Sequence, residues 1–182
     1  RSMDVETAQV VASFRELESS NIDAIVTPGV DEEAVAILRK TRRRMVVYSV
    51  PDLGSLPAAT MNVKQVPGGL LYQQANVTPV DRTSWKVATK KSPTTEQLKG
   101  MEEAWLLMRH IRSNTILVWD EANGVTLGIG SGQVSRVGSA RLALEQAGER
   151  TKGAILASDS FFPFQDTVEL AAQCGIAAIV QQ

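Results

Sequence analysis

The 182 residues are 43% hydrophobic and 21% charged, with 19 Lys and Arg against 20 Asp and Glu. That is enough for one sizeable core, and it excludes a disordered chain or a broadly basic nucleic-acid binder. One cysteine and one histidine exclude an internal disulfide and leave too few ligands for a Cys-rich zinc site or a transition-metal cage, so no metal is expected. No apolar run approaches the ~20 residues of a membrane helix. Arg1-Ser2-Met3 lacks a signal peptide's apolar segment and resembles a cloning remnant. The expectation is one compact, cytoplasmic domain over residues 4–182, with no nucleic-acid or membrane partner.

In chain order, Val10, Phe14 and Leu17 recur at helical spacing and predict a helix over about 4–19. Ala24-Ile25-Val26 reads as a strand and Pro28-Gly29 as a turn. Asp31-Glu32-Glu33 is an acidic start for a helix reaching Lys40, and Met45 to Tyr48 is the next strand. This β-α-β unit predicts parallel strands in a sheet covered by helices. Residues 49–76, rich in Pro, Gly and Ser, read as a connector ending in a strand around Gly69-Leu70-Leu71-Tyr72. Trp85 to Ala88 suggests another strand. Thr94, with Gln97 three residues on, predicts a capping box for a helix whose core face is Leu98, Met101, Trp105 and Met108.

Ser113-Asn114 closes that helix. Ile116–Trp119 and Val125–Ile129 flank Asp120-Glu121-Ala122-Asn123-Gly124 as a hairpin. A helix over 133–147 with Gly148 as its stop, a strand over 154–157, a helix over 166–174 stopped by Gly175, and a strand over 176–180 complete the chain. The fold class expected is α/β, a three-layer α/β/α sandwich with a mixed sheet.

Three loops carry the candidate chemistry. Gly130-Ser131-Gly132 before a helix can turn backbone N–H groups toward an anion, with Arg136 adding charge; the alternative is a tight turn with a surface arginine. Phe161-Phe162-Pro163-Phe164 gathers three of the four phenylalanines between Asp159 and Asp166. Those rings either wall a pocket for a flat heterocycle or plug the core while the aspartates cap the next helix. Asn114 alone reads as a helix C-terminal residue, and His110 as a surface or packing residue.

Taken together, Lys86-Val87-Ala88-Thr89-Lys90, Arg112-Ser113-Asn114-Thr115-Ile116, Gly128-Ile129-Gly130-Ser131-Gly132-Gln133-Val134-Ser135-Arg136-Val137 and residues Ser158 to Asp166 resemble the transformylase part of the AICAR formyltransferase/IMP cyclohydrolase family. The similarity extends more weakly from about Asp23 to Gln182. It implies a cytidine-deaminase-like fold and transfer of a formyl group from 10-formyltetrahydrofolate to the 5-amino group of AICAR. It also implies a homodimer and no metal, in keeping with the cysteine count. By the same resemblance Asn114 is the catalytic asparagine, Arg136 and Val137 line the substrate and folate region, and Phe161, Pro163 and Asp166 form the folate pocket. Arg112 and Gln165 stand where lysine and arginine are common in the family. The family's Lys-His proton-transfer pair has no counterpart dipeptide in these residues, so the expectation is one lobe, incomplete on its own. The alternative is a non-catalytic folate- or nucleotide-binding or dimerisation module derived from that enzyme.

Overall fold

The computed structural model describes residues 2–13, 22–53, 61–77 and 79–182, and its contacts group the chain into two compact units, Arg1–Ala75 and Asn76–Gln182, where length had suggested one. In the first unit, helix α1 (Val5–Ser13) begins where the Asp4 carboxylate accepts hydrogen bonds from the Thr7 N–H and hydroxyl at 2.8 and 2.6 Å, the arrangement of an N-cap. The predicted continuation to residue 19 lies outside the described residues. Strand β1 (Ala24–Thr27), helix α2 (Glu32–Thr41) and strand β2 (Val46–Ser49) form the expected β-α-β unit, with β1 and β2 parallel and Ile25 opposite Val47.

Ala8 and Val11 of α1 pack with Ala34 and Leu38 of α2 over Ile25 and Val47. Both helices therefore lie on one face of the pair. The opposite face presents Val26 and Tyr48, 55% and 62% exposed, so the predicted covering of the parallel strands is one-sided. Met3 belongs to this core: it is 4% exposed, bridges to Val30, and its N–H donates to the Gly29 carbonyl at 2.8 Å.

The connector corrects the sequence reading. It contains two strands, β3 (Met61–Val66) and β4 (Gly69–Gln74), paired antiparallel, while residues 54–60 lie outside the described residues. Proline at the second position of the Val66–Gly69 turn fixes φ, and Gly68 supplies the positive φ of 85° that a type II turn requires. The first strand gave no signal because nearly every residue of the hairpin is exposed, so no alternation of apolar and polar residues marks it.

The second unit opens with a 3-10 turn, Arg82–Ser84, capped by the Asp81 carboxylate. Residues 85–88 form no strand, contrary to expectation. Apolar composition makes a strand only where another strand offers its backbone groups, and Trp85 instead packs against the core of helix α3 (Thr95–Met108). The α3 capping box is as the sequence predicts: Gln97 N–H donates to Thr94 Oγ1 at 3.2 Å and Thr94 N–H to Gln97 Oε1 at 3.0 Å. Buried Gly100, Met101, Ala104 and Met108 face the sheet, while Leu98 and Trp105 sit half-buried at its margin, and His110 beyond the helix is exposed.

The sheet contains β5 (Ile116–Asp120), β6 (Val125–Gly130), β7 (Ile155–Ser158) and β8 (Ala178–Val180) in the order β6-β5-β7-β8, antiparallel except for the parallel β7–β8 pair. Alternation along β5 separates two cores. Ile116 and Val118 join Ala140, Ala143 and Leu144 of helix α4 (Arg136–Ala147) and Ala171 of helix α5 (Asp166–Gln173), while Leu117 and Trp119 join Met101 and Met108 of α3. Across the described residues the molecule is mixed α/β with sheets of two, two and four strands. The single mixed sheet expected for the whole chain is confined to the second unit. Helix α4 also starts three residues later than predicted, because Ser135 takes the N-cap and accepts from Gly138 N–H at 3.2 Å.

Two close approaches set the layers. A Cβ on Gly130 would lie 1.9 Å from the Ser139 carbonyl oxygen, and one on Gly128 2.0 Å from that of Ala143, so α4 rests on the main chain of β6. On the other face a Cβ on Gly100 would lie 2.7 Å from Glu121 Cβ. The β5–β6 turn itself is locked by Asp120, whose carboxylate accepts from Ala122 N–H, Asn123 N–H and the Asn123 side-chain amide.

Glu121 beside it has a buried Oε2 without a partner among the described residues. Burial first, then the neighbouring Glu96, Asp120 and Glu103 carboxylates, raise its pKa above the ordinary 4.5. A carboxyl raised on folding contributes stability that is complete below the unfolded value and lost as pH climbs through the folded one. Glu121→Gln should therefore raise the urea midpoint at pH 7 relative to the native chain, with the difference vanishing at pH 4 and below.

Candidate functional site

Asn114, Arg136 and the loop after β7 meet at one end of the second unit's sheet. Ile116 of β5 pairs with Ser158 of β7, and Asp159 N–H donates to the Thr115 carbonyl at 3.3 Å, which carries the ladder one step past the strand ends. Asp159 thereby stands beside Thr115, and its Oδ1 accepts the Thr115 N–H at 3.1 Å. From the first turn of α4, Arg136 reaches into the same place. Its Nη1 donates to Asn114 Oδ1 at 2.6 Å and to Asp159 Oδ1 at 3.3 Å, and its Nε to the Phe161 carbonyl at 3.0 Å. The Arg136 and Asp159 side chains are 17% and 16% exposed, so this ion pair is less screened than a surface pair.

The amide of Asn114 is oriented from both ends. Its oxygen faces a guanidinium that can only donate, and its Nδ2 donates to the Gln133 carbonyl at 2.8 Å. The Asn114 carbonyl accepts from Ser139 Oγ at 2.8 Å, and the Ser113–Asn114 peptide bond is cis. One hydrogen on Nδ2 and the Nη2 group of Arg136 have no partner among the described residues. They are donors available to an oxygen-rich ligand.

Of the two uses its sequence allows, the glycine loop takes the tight turn. Gly132 N–H donates to the Arg112 carbonyl at 2.8 Å and Gln133 N–H to that of Asn114 at 3.4 Å, while Ser131 Oγ also reaches Arg112 O at 3.1 Å. Those N–H groups bind the 112–114 loop rather than an anion. Arg136 is no surface arginine either; its guanidinium is turned inward.

The aromatic loop divides. Phe162 packs partly buried against the α4–α5 core, and its N–H donates to Gln181 Oε1 at 2.8 Å. Phe161 and Phe164 are 60% and 72% exposed, so two of the three rings are free to stack. Val137 follows Arg136 half-buried in α4, and Pro163 is exposed on the loop. Asp166 opens α5, where its carboxylate accepts from Thr167 N–H at 2.7 Å. The structure thus brings Asn114, Arg136 and the Phe161 carbonyl together and leaves the Asp166 carboxylate outside their hydrogen-bond network. A cavity of about 1290 Å³ in the second unit is lined by Trp85, Met101, Trp105, Val168 and Ile179, with Asp159 also on its wall. Asn114, Arg136 and Asp166 are not among its lining residues.

Asp159 is the residue that sequence reasoning undervalued. Along the chain it stands only as a flank of the phenylalanines, since its partner Thr115 lies 44 residues away. Among the described residues, no three His, Cys, Asp or Glu side chains gather closely enough to hold a metal ion, and no helix is long and apolar enough to cross a membrane.

The family model described as AICARFT/IMPCHase bienzyme matches residues 1–146. The chain belongs to the AICARFT/IMPCHase bienzyme family. Within that family it is similar to the bifunctional purine biosynthesis protein PurH of Cyanothece sp. (strain PCC 7425 / ATCC 29141), 44% identical over 179 residues, which are 98% of this chain and 33% of the relative. It is 46% identical over 168 residues to PurH of Prochlorococcus marinus (strain MIT 9313), covering 92% of this chain and 32% of the relative. The PurH of Listeria monocytogenes serotype 4a (strain HCC23) is 41% identical over 181 residues, 100% of this chain and 33% of its own. The chain therefore spans about a third of the length of the curated bienzyme relatives it matches.

Proposed function

We propose that this segment is a lobe of the formyltransferase half of the bienzyme, acting in transfer of a formyl group from 10-formyltetrahydrofolate to the 5-amino group of AICAR. The observation that carries the reading is the Asn114–Arg136 pair, held at 2.6 Å with donor hydrogens to spare. Formyl transfer to an amine passes through a tetrahedral oxyanion, which preorganised donors stabilise. Asn114 supplies such a donor and Arg136 a positive charge beside it, with Val137 alongside. The exposed rings of Phe161 and Phe164 offer faces on which a pterin stacks, and Pro163 and the Asp166 carboxylate complete that folate wall. The helices on both faces of the β6-β5-β7-β8 sheet suit a cytidine-deaminase-like α/β/α sandwich, and we include in the proposal a homodimer in which AICAR and the folate bind.

An amide is a poor proton acceptor, and no Lys-His dipeptide occurs in these residues. The role assigned to this segment is accordingly binding and oxyanion stabilisation, with proton removal assigned elsewhere in a longer chain. Calorimetry of the 182-residue chain tests the binding: AICAR should give heat that Arg136→Met abolishes, and a folate analogue heat that Asp166→Ala weakens. A folded chain silent to both ligands would overturn the reading and leave a dimerisation module.

A further inference from the structure

We propose that Asp159 is a positioning residue of this site: its carboxylate fixes the Arg136 guanidinium and, through it, the donor face of the Asn114 amide. The inference rests on the formyl-transfer reading for its function and on the hydrogen-bond geometry for its substance.

A guanidinium offers five N–H hydrogens in one plane. Three are engaged, one each by the Phe161 carbonyl, Asn114 Oδ1 and Asp159 Oδ1. Nη1 serves two acceptors at once, the asparagine at 2.6 Å and the aspartate at 3.3 Å. Removing the carboxylate leaves the guanidinium only its neutral acceptors, the Phe161 carbonyl and Asn114 Oδ1, and takes away the one charged partner that pins Nη1.

Asp159 is itself anchored at two points. Its N–H lies on the Thr115 carbonyl at 3.3 Å and its Oδ1 receives the N–H of the same residue at 3.1 Å, so both its main chain and its side chain are fastened to the end of β5. Thr115 is fully buried, which places the anchor in the rigid body of the sheet. Asn114, the next residue, is thus oriented by a group fixed to its own neighbour. With its oxygen on Arg136 and one hydrogen on Gln133 O, the amide has its remaining N–H as a donor for a ligand oxygen. Without Arg136 in place the amide keeps only its Gln133 contact and loses the donor that fixes its oxygen.

The test uses nitrogen-15 spectra of the side chains in the 182-residue chain together with calorimetry. In the native chain Arg136 should show slowly rotating, separately resolved guanidinium signals. Asp159→Ala should move them to the averaged position of solvent-exposed arginines, shift both Asn114 amide hydrogens, and weaken AICAR binding about tenfold, the loss expected for one charge-assisted hydrogen bond. Asp159→Asn, which keeps an acceptor oxygen, should restore part of each signal. Asp166→Ala, at the first residue of α5 and outside the network, should leave Arg136 unmoved. A purely structural role would lower the melting temperature without these side-chain changes. If the alanine variant does not fold, the asparagine variant decides by its intermediate loss. Arg136 and Asn114 signals unchanged by substitution at 159 overturn the inference. A native chain that shows the Asp159-dependent signals but no heat with AICAR or a folate analogue retains the positioning geometry and removes the formyl-transfer reading.

Discussion

Carried in a chain of its relatives' length, Asn114→Ala should lower kcat for formyl transfer by about 10²–10³-fold, the scale seen when one oxyanion donor is removed, and leave the KM for AICAR nearly unchanged. The side chain has one free donor hydrogen, and its other two polar contacts are internal, to Gln133 and Arg136. Its expected contribution is to the charge that develops in the transition state, so kcat should respond more than ground-state affinity. Tetrahydrofolate release with AICAR and 10-formyltetrahydrofolate measures it. Asn114→Asp is the sharper companion, since it keeps an oxygen for Arg136 and removes the donor; it should be as slow as the alanine variant. Native kcat in either variant would remove Asn114 from the reaction.

Gly130→Ala should destabilise the protein by about 3 kcal/mol, at the upper end of overpacking costs. The added Cβ would meet Ser139 main-chain atoms at 1.9, 2.6 and 2.8 Å, and a helix backbone cannot rotate aside as a side chain can. Relief requires α4 to lift from β6, which separates Ala140, Ala143 and Leu144 from Ile116 and Val118 and draws Arg136 away from Asn114. A urea titration by circular dichroism reads the loss. Gly69→Ala is the control: nothing lies within 4 Å of its Cβ position, and its midpoint should stay within about 0.5 kcal/mol of native, as for other open surface sites. Equal midpoints for the two variants would show that α4 does not depend on the bare β6 backbone.

What could be read from the residues was local. The Thr94–Gln97 box, the Asp120–Gly124 turn and the Ser135 start of α4 all work within four residues, and the first two were visible in the sequence. Strand pairing is not local. The apolar run at Trp85 resembled a strand but found no neighbour to complete it, whereas Met61–Val66 became one because Pro67-Gly68 folded β4 back onto it. Asn114 and Arg136 were marked by resemblance. Their contact across 22 residues and the aspartate that secures it depend on where β5, β7 and α4 end relative to one another, which no spacing along the chain encodes.

The carbonyl of Arg112 receives the N–H of Gly132 and the hydroxyls of Ser131 and Thr115. Residue 112 therefore knits its neighbourhood together through an atom every amino acid possesses, while its exposed side chain points to no bonded partner among the described residues. Exchange of lysine for arginine there alters the local field and the reach toward a passing anion, and leaves the stitching of the two loops intact. Evolution can tune the charge at this rim independently of the architecture that supports it.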